Sequence, residues 1–163
     1  MSYEVGQIFT EPYPFDCAVW CNENGLLLNE IDPLEDGTRQ FKICEPVPLT
    51  LDEVKTNKHN ELKSIMTTKR QALKVDYDND QFDANETAQA NMNTLLQAFN
   101  LGATSVSIRS VNEVTHTFNQ AHCNELALLM ADAVNNLYGE YWQYKDALAK
   151  CETVDAVNEI KWE

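Results

Sequence analysis

The chain of 163 residues is long enough for one domain, or for one domain with a small appendage, and 44% hydrophobic with 23% charged residues is an ordinary globular composition. A formal net charge of −14 argues against binding to nucleic acid or to an anionic membrane, because both repel an acidic chain. No apolar run approaches the roughly 20 residues of a membrane span, and the start, MSYEVGQIFTEPYP, lacks the basic and apolar regions of a signal peptide.

Five cysteines without a secretion signal predict free thiols in a reducing compartment, because an odd number cannot all pair within one chain. Cys17 and Cys21 are spaced CxxxC, and Cys44 is a third candidate ligand for zinc. A structural zinc site needs a fourth ligand, which the spacing does not supply. We therefore favour small buried apolar side chains, with a metal site at these three cysteines as the alternative.

Residues 1–49 are predicted to form a small β-rich leader. They hold all five prolines and three of the five glycines, and proline blocks helix continuation and keeps the preceding residue extended. We predict strands at about residues 26–31 and 39–44, beside the turn signals Asn24-Gly25 and DPLEDG. Three aromatic residues of the leader are candidates for a partner-binding surface: Tyr13, Phe15 and Trp20.

A long helix is predicted from Thr50 to about residue 74. Thr50 and Glu53 have the spacing of a capping box, in which the hydroxyl and the carboxylate each bind a free backbone amide. Residues 55–75 carry six basic residues against Glu61, a local charge of +5. We expect a solvated helix face, with docking onto the chain's own acidic parts or onto an acidic partner as alternatives.

Four aspartates lie within eight positions of the segment VDYDNDQFDANETAQANM: Asp76, Asp78, Asp80 and Asp83. A calcium loop of the EF-hand type needs Gly at its sixth position and Glu at its twelfth, which here are Gln81 and Thr87. We therefore predict a short hairpin rather than a cation site, because Asp and Asn side chains favour turns. A helix over about 84–101 follows, which Asp83 and Glu86 are predicted to cap and Gly102 to end.

A second hairpin is predicted after Gly102, with its turn at Ser110–Asn112, and then a helix over about 119–150 with Asn119 as its cap. Thr153 is predicted to cap a last short helix. The long helix has an apolar stripe at helical spacing, formed by Cys123, Leu126, Met130, Val134, Leu137, Tyr141 and Leu148. Four aromatic residues on it are further candidates for partner binding: Tyr138, Tyr141, Trp142 and Tyr144.

Residues 51–163 carry several segments with a shared pattern: LDEVKTNKHNELKS at 51–64, FDANETAQAN at 82–91, SIRS at 107–110, WQYKDAL at 142–148 and TVDAVNEIKW at 153–162. On these segments the chain resembles a family of uncharacterised bacteriophage domains, a domain of unknown function whose genes usually lie beside tail and tail-fibre genes. The resemblance implies a phage origin and a tail-module context, and it supplies no catalytic residue. The hairpin position often filled by Trp is Ile108 here, and the usual Leu-Thr before the long helix is Phe118-Asn119.

The most specific signature residues are interpreted as structural. Gln89 and Asn91 lie at a helix start or bind the hairpin, Trp142 and Lys145 hold the last helix, and Arg109 pairs with an acid on the long helix. Residues 1–50 match the family only in general style, so they are the candidate for the function particular to this phage.

The sequence does not point to an enzyme. His122 and Cys123 are adjacent, but neighbouring residues of a helix do not face each other, and Cys123 belongs to the apolar stripe. The chain has no GxSxG, phosphate-loop, GxGxxG or HExxH motif. We therefore expect no catalytic residue, no cofactor and no metal.

Together these features predict an α+β fold: three main helices with two short β-hairpins over residues 50–163, preceded by the small β-rich leader at 1–49. The expected function is that of a non-enzymatic phage tail-module protein, either a small virion component or a tail-fibre assembly factor, located in the virion or the host cytoplasm. Its expected partners are a phage tail or tail-fibre protein and, as a dimer or trimer, itself. The alternative is an acidic phage inhibitor of a host nucleic-acid-binding or defence protein.

Overall fold

A computed structural model describes residues 3–163 and confirms the α+β class. Two compact units divide the chain, Met1–Leu49 and Thr50–Glu163. Among the described residues, no helix combines the length and the apolar character that crossing a membrane requires.

The first unit is a three-stranded antiparallel sheet with one helix. Its elements are β1 (Ile8–Thr10), α1 (Phe15–Glu23), β2 (Leu27–Ile31) and β3 (Gln40–Cys44), with the strand order β1-β3-β2. The register places Ile8 opposite Lys42 and Leu27 opposite Cys44. Both predicted strands are confirmed.

The helix α1 was not predicted from the sequence, because two prolines precede it and its apolar pattern is short. Pro14 is its N-cap residue, a place where proline's fixed backbone is compatible with a helix start. Cys17 and Cys21 are four residues apart and therefore share one helix face, which is buried together with Tyr3 and Ile43.

The second unit contains four helices among the described residues: α2 (Leu51–Gln71), α3 (Glu86–Asn100), α4 (Gln120–Lys150) and α5 (Val154–Asn158). The capping box of Thr50 and Glu53 is confirmed, with both hydrogen bonds present. Asn119 and Thr153 also cap their helices as predicted.

The predicted cap of α3 was wrong. The side chain of Asn85 accepts the hydrogen bond from the Ala88 amide, whereas Asp83 is still the last residue of a strand. Asp and Asn are equally good N-caps, so the sequence alone did not separate the two residues.

Two hairpins lie in this unit, β4 (Lys74–Tyr77) with β5 (Asp80–Asp83), and β6 (Val106–Arg109) with β7 (Thr115–Phe118). The first is closed by Asp78 and Asn79, whose φ angles are +52° and +59°. Positive φ at both central residues defines the type I′ turn, which suits the twist of a two-residue hairpin. The aspartate-rich stretch is therefore a turn between paired strands, as predicted.

The helix α4 contributes buried residues to two core clusters. Its first half packs with the hairpins and α3, around Phe82, Ala84, Met92, Phe118, Cys123, Leu126 and Met130. Its second half packs with α2 and α5, around Leu62, Met66, Leu137, Leu148, Val157 and Trp162. The predicted apolar stripe of α4 accounts for its contribution to both clusters.

Asp80 joins the two hairpins. Its carboxylate accepts a hydrogen bond of 2.6 Å from Asn112 Nδ2 and lies 2.9 Å from His116 Nε2. Next to it, the Val111 amide donates to the Gln81 carbonyl at 2.8 Å. The side chain of Asp80 is only 9% exposed, and hydrogen bonds from Ser110, His116 and the Gln81 amide hold its pKa well below the usual range.

Several bases of the +5 segment bind the chain's own second unit. Lys55 donates to the Ala149 carbonyl at 3.2 Å, near the C-terminus of α4, where a cation is electrostatically favoured. Arg70 donates to the Ala84 carbonyl at 2.8 Å. Lys69 donates to the main-chain oxygen of Glu163 and lies over the ring of Trp162. These bases therefore hold chain ends and loops in place.

Leu126→Ala should lower the free energy of unfolding by about 2–5 kcal/mol, because Leu126 is 0% exposed and its truncation leaves a cavity. Leu128→Ala is the matched control, the same substitution on the same helix at a residue that is 64% exposed. It should change stability by no more than about 0.5 kcal/mol. Urea unfolding followed by circular dichroism measures both, and equal losses would contradict the orientation of α4.

Asp80→Asn should lower the urea midpoint at neutral pH more than Asp83→Asn does, since Asp83 is an exposed residue of the same strand. The folded-state pKa of Asp80 is depressed, so its stabilisation is present above the ordinary Asp pKa of about 4 and is lost as the pH falls below it. The difference between wild type and Asp80→Asn should therefore shrink between about pH 4 and pH 2. A difference that stays constant over that range would contradict this role.

Candidate protein-binding surface

The aromatic candidates of the first unit differ in exposure. Tyr13 is half-buried against Phe41, with the ring centroids 4.7 Å apart. Trp20 is half-buried against Tyr3 at 5.7 Å. Phe15, the first residue of α1, is 83% exposed. The structure thus places two of these side chains in internal contacts and leaves Phe15 free to meet another molecule.

The aromatic candidates of the second unit lie on two faces of α4. Tyr141 and Tyr144 stack on Trp162, with centroids 5.9 and 5.2 Å apart, and belong to the second core cluster. Tyr138 and Trp142 lie on the outer face, 39% and 58% exposed, with their rings 6.0 Å apart. The four residues therefore do not form one surface patch.

The outer face of α4 carries a regular row of exposed residues. They follow one another at intervals of three, four, three and four: Leu128, Ala131, Asn135, Tyr138 and Trp142. We call this row the outer seam. Intervals of three and four place residues along one line of a helix, as at the a and d positions of a coiled coil. The sequence analysis found only the two aromatic members, although the spacing of the row is visible in the sequence.

The flank of the outer seam is acidic. Within residues 120–146 the acids are Glu125, Asp132, Glu140 and Asp146, and the one Lys or Arg is Lys145, which lies over the ring of Tyr141. Glu125 accepts a hydrogen bond of 2.6 Å from the Tyr77 hydroxyl, which raises the pKa of Tyr77 to about 12. Asp132 and Asp146 are exposed, and neither forms an ion pair within residues 3–163. The field along this face therefore favours cationic groups.

A groove of about 440 Å³ opens between β5, β6 and α3. Its apolar lining includes Phe82, Met92, Leu95, Ile108 and Met130. Arg109 lies at this groove and pairs with Glu113 in its own hairpin at 2.9 Å. The predicted pairing of Arg109 with an acid on the long helix was therefore wrong, because the tight turn brings Glu113 nearer.

The remaining signature residues make the following contacts. Gln89 Nε2 donates to the carbonyls of Ala84 and Met130, at 3.1 and 3.4 Å, and so ties α3 to β5 and α4. Lys145 Nζ lies 5.5 Å from the centroid of the Tyr141 ring. The tryptophan packed against the second core is Trp162 rather than Trp142, whose aromatic contact is with Tyr138.

Three of the five thiols, Cys17, Cys21 and Cys123, are buried in the core clusters. Cys123 is fully buried, which raises the pKa of its thiol, so the neighbouring exposed His122 meets no accessible nucleophile. Burial and the adjacent Cys21 raise the pKa of Cys17 to about 11. Cys44 is half-buried and its sulfur donates to the Lys42 carbonyl. Across residues 3–163, no three His, Cys, Asp or Glu side chains are grouped so as to hold a metal ion.

Trp142→Ala should leave the free energy of unfolding within about 0.5 kcal/mol of wild type, because the side chain lies on the surface. The matched change, Trp162→Ala, should cost about 3–5 kcal/mol, because Trp162 is 7% exposed and stacked between tyrosines. Urea unfolding of the two variants compares them directly. A large loss in Trp142→Ala would mean that the outer seam is part of the core.

Comparison with known proteins identifies the second unit. Neither the curated proteins nor the solved structures include a match to the chain. The family described as "Domain of unknown function (DUF4376)" matches residues 53–161, about two thirds of the sequence. This span covers α4 with its outer seam, both hairpins and the caps of α3 to α5. The chain therefore belongs to the DUF4376 family.

Proposed function

We propose that this protein is a non-enzymatic bacteriophage tail-module protein that acts by binding another protein, as a small virion component or as a tail-fibre assembly factor. The observation that supports binding is the outer seam of α4. Leu128, Tyr138 and Trp142 place large apolar side chains in solvent along one line of a long helix. Large apolar side chains exposed along one line of a helix are typical of interaction sites.

The chemistry of the seam suits an interface. Trp and Tyr are enriched among the residues that contribute most to binding, since they bury much area at low cost in side-chain entropy. Because α4 is anchored along its other face by two core clusters, the seam is held on a rigid element. Binding there requires no rearrangement of the helix.

The tail context is inferred from family resemblance. The segments FDANETAQAN and WQYKDAL resemble bacteriophage domains whose genes usually lie beside tail and tail-fibre genes. Several residues of these segments cap helices or fill the core, as Ala84, Asn85 and Leu148 do. They therefore support membership of the family, and the family's setting in turn supports the tail assignment.

The test is affinity capture from infected cells, together with mass spectrometry of purified virions of the parent phage. Wild-type protein should retain a tail or tail-fibre protein, or be present in virions in fixed proportion. Trp142→Ser should lose that protein, whereas Leu101→Ser, which removes an apolar side chain that is 90% exposed at the end of α3, should retain it.

Absence from virions combined with capture of no tail protein would overturn the proposal. Salt-sensitive capture of a basic host protein instead would favour an acidic inhibitor of a host nucleic-acid-binding protein. Equal loss in both variants would move the binding surface away from α4.

A further inference from the structure

We infer that the outer seam binds an amphipathic helix of a partner protein whose apolar stripe is flanked by Lys or Arg. This inference rests on the proposed function as a binding protein and specifies the chemistry of the partner. It is carried by the geometry of the seam, by the acids beside it and by what a second copy of the chain offers at the same positions.

The geometry of the outer seam indicates that the partner binds through a helix. From Leu128 to Trp142 the seam spans 14 residue steps, or about 21 Å at 1.5 Å per residue. Its intervals of three and four repeat every seven residues, which is the pattern that a second helix matches by inserting its own side chains between them. Ala121 and Asn124 continue the same line toward the N-terminus, and both are exposed.

The seam is not uniformly apolar. Asn135 lies at its centre, one heptad after Leu128 and one heptad before Trp142. With Leu128 at an a position, Asn135 is also at a, where a single polar residue fixes the register of two helices. The partner helix is therefore expected to place one polar side chain opposite Asn135.

The charges beside the seam indicate which residues flank the apolar stripe of the partner helix. In the same register the e positions of α4 are Glu125, Asp132, Gly139 and Asp146. Three of these four positions carry acids, and e and g charges decide which helices pair. Gly139 has no heavy atom within 4 Å of the space that a Cβ would fill, so a long side chain of the partner has room there. Lys or Arg at the facing positions complements all three acids.

A second copy of the chain has no Lys or Arg at the e and g positions of its seam, which would face these acids. In an antiparallel pair the e positions of both copies face each other, so acids oppose acids. In a parallel pair the e acids face g positions, which in this chain are Ala127, Val134 and Tyr141. Ala127 and Tyr141 already pack on the core clusters of their own unit. The one base in this register, Lys145, is at a d position and lies over the ring of Tyr141, so neither arrangement places a cation at a position facing Asp132.

The test uses two synthetic helical peptides of four heptads, each with Leu at the a and d positions and one Asn at a central a position. One carries Lys at every e and g position and the other carries Glu there, so self-repulsion keeps both from pairing with themselves. Titration calorimetry with the full chain measures binding at several salt concentrations. We expect the Lys peptide to bind at least about tenfold more tightly than the Glu peptide.

Variants of the chain assign the binding to the seam. Trp142→Ser should weaken binding of the Lys peptide by about thirtyfold or more, as expected for a large aromatic residue in the interface. The double variant Asp132→Asn and Asp146→Asn should weaken it by about fivefold and reduce its salt dependence. The matched control, Glu86→Gln with Glu152→Gln, removes two exposed acids elsewhere in the same unit and should leave the affinity unchanged.

Three results would overturn the inference: equal affinity for both peptides, an affinity for the Lys peptide that Trp142→Ser leaves unchanged, or equal effects of the two double variants. Light scattering that finds a dimer of the 18.6 kDa chain, dispersed by Trp142→Ser, would assign the seam to a second copy instead. The proposed function is judged separately by virion composition and capture, so a tail protein retained by a chain that binds neither peptide would leave that function standing.

Discussion

The structure of residues 50–163 depends on the burial of one stripe of α4. Leu126 and Leu148 are buried in different core clusters, so a single helix of 31 residues links parts of the unit that share no other long element. A helix of that length gains most of its stability from packing rather than from intrinsic propensity. The same burial fixes which residues of α4 remain outside, and the outer seam is therefore a direct consequence of how the core is packed.

Polar side chains position the elements around α4. Asp80 joins the hairpins, Asn85 and Asn119 begin helices, and Arg70 binds the carbonyl of Ala84 between β5 and α3. Each of these groups forms a hydrogen bond with a backbone or side-chain partner of a neighbouring element or of a helix start. Some of the Asp and Asn residues of this sequence, such as Asp78, Asn79, Asn85 and Asn119, thus form turns and caps.

Periodicity predicted much of the second unit, because its helices are long and their caps are well separated from other signals. Thr50, Asn119 and Thr153 were found from spacing alone. Two kinds of feature escaped. The helix α1 is short, and its pattern was outweighed by nearby prolines. Pairings such as Arg109 with Glu113 depend on turn geometry, which brings together residues that a sequence pattern assigns to no particular partner.

The residues of the candidate surface were also only partly predictable from the sequence. Tyr141 and Tyr144 are indistinguishable from Tyr138 by composition, and only the rotation of α4 places the first two against Trp162. Because the stripe of the core is read from the sequence, the complementary face follows from it, and the row from Leu128 to Trp142 was available to the same reasoning. The identity of the partner could not be predicted in this way, since a binding surface restricts the other molecule only through shape and charge.

The most direct test of the binding role of α4 is site-specific photo-crosslinking in cells that produce the protein. A photoreactive residue at position 138 lies on the outer seam, and one at position 94 lies at an exposed position of α3. A binding surface on α4 predicts a covalent adduct with a second protein from position 138 and none from position 94. Adducts from position 94 alone, or no adduct from position 138, would contradict it.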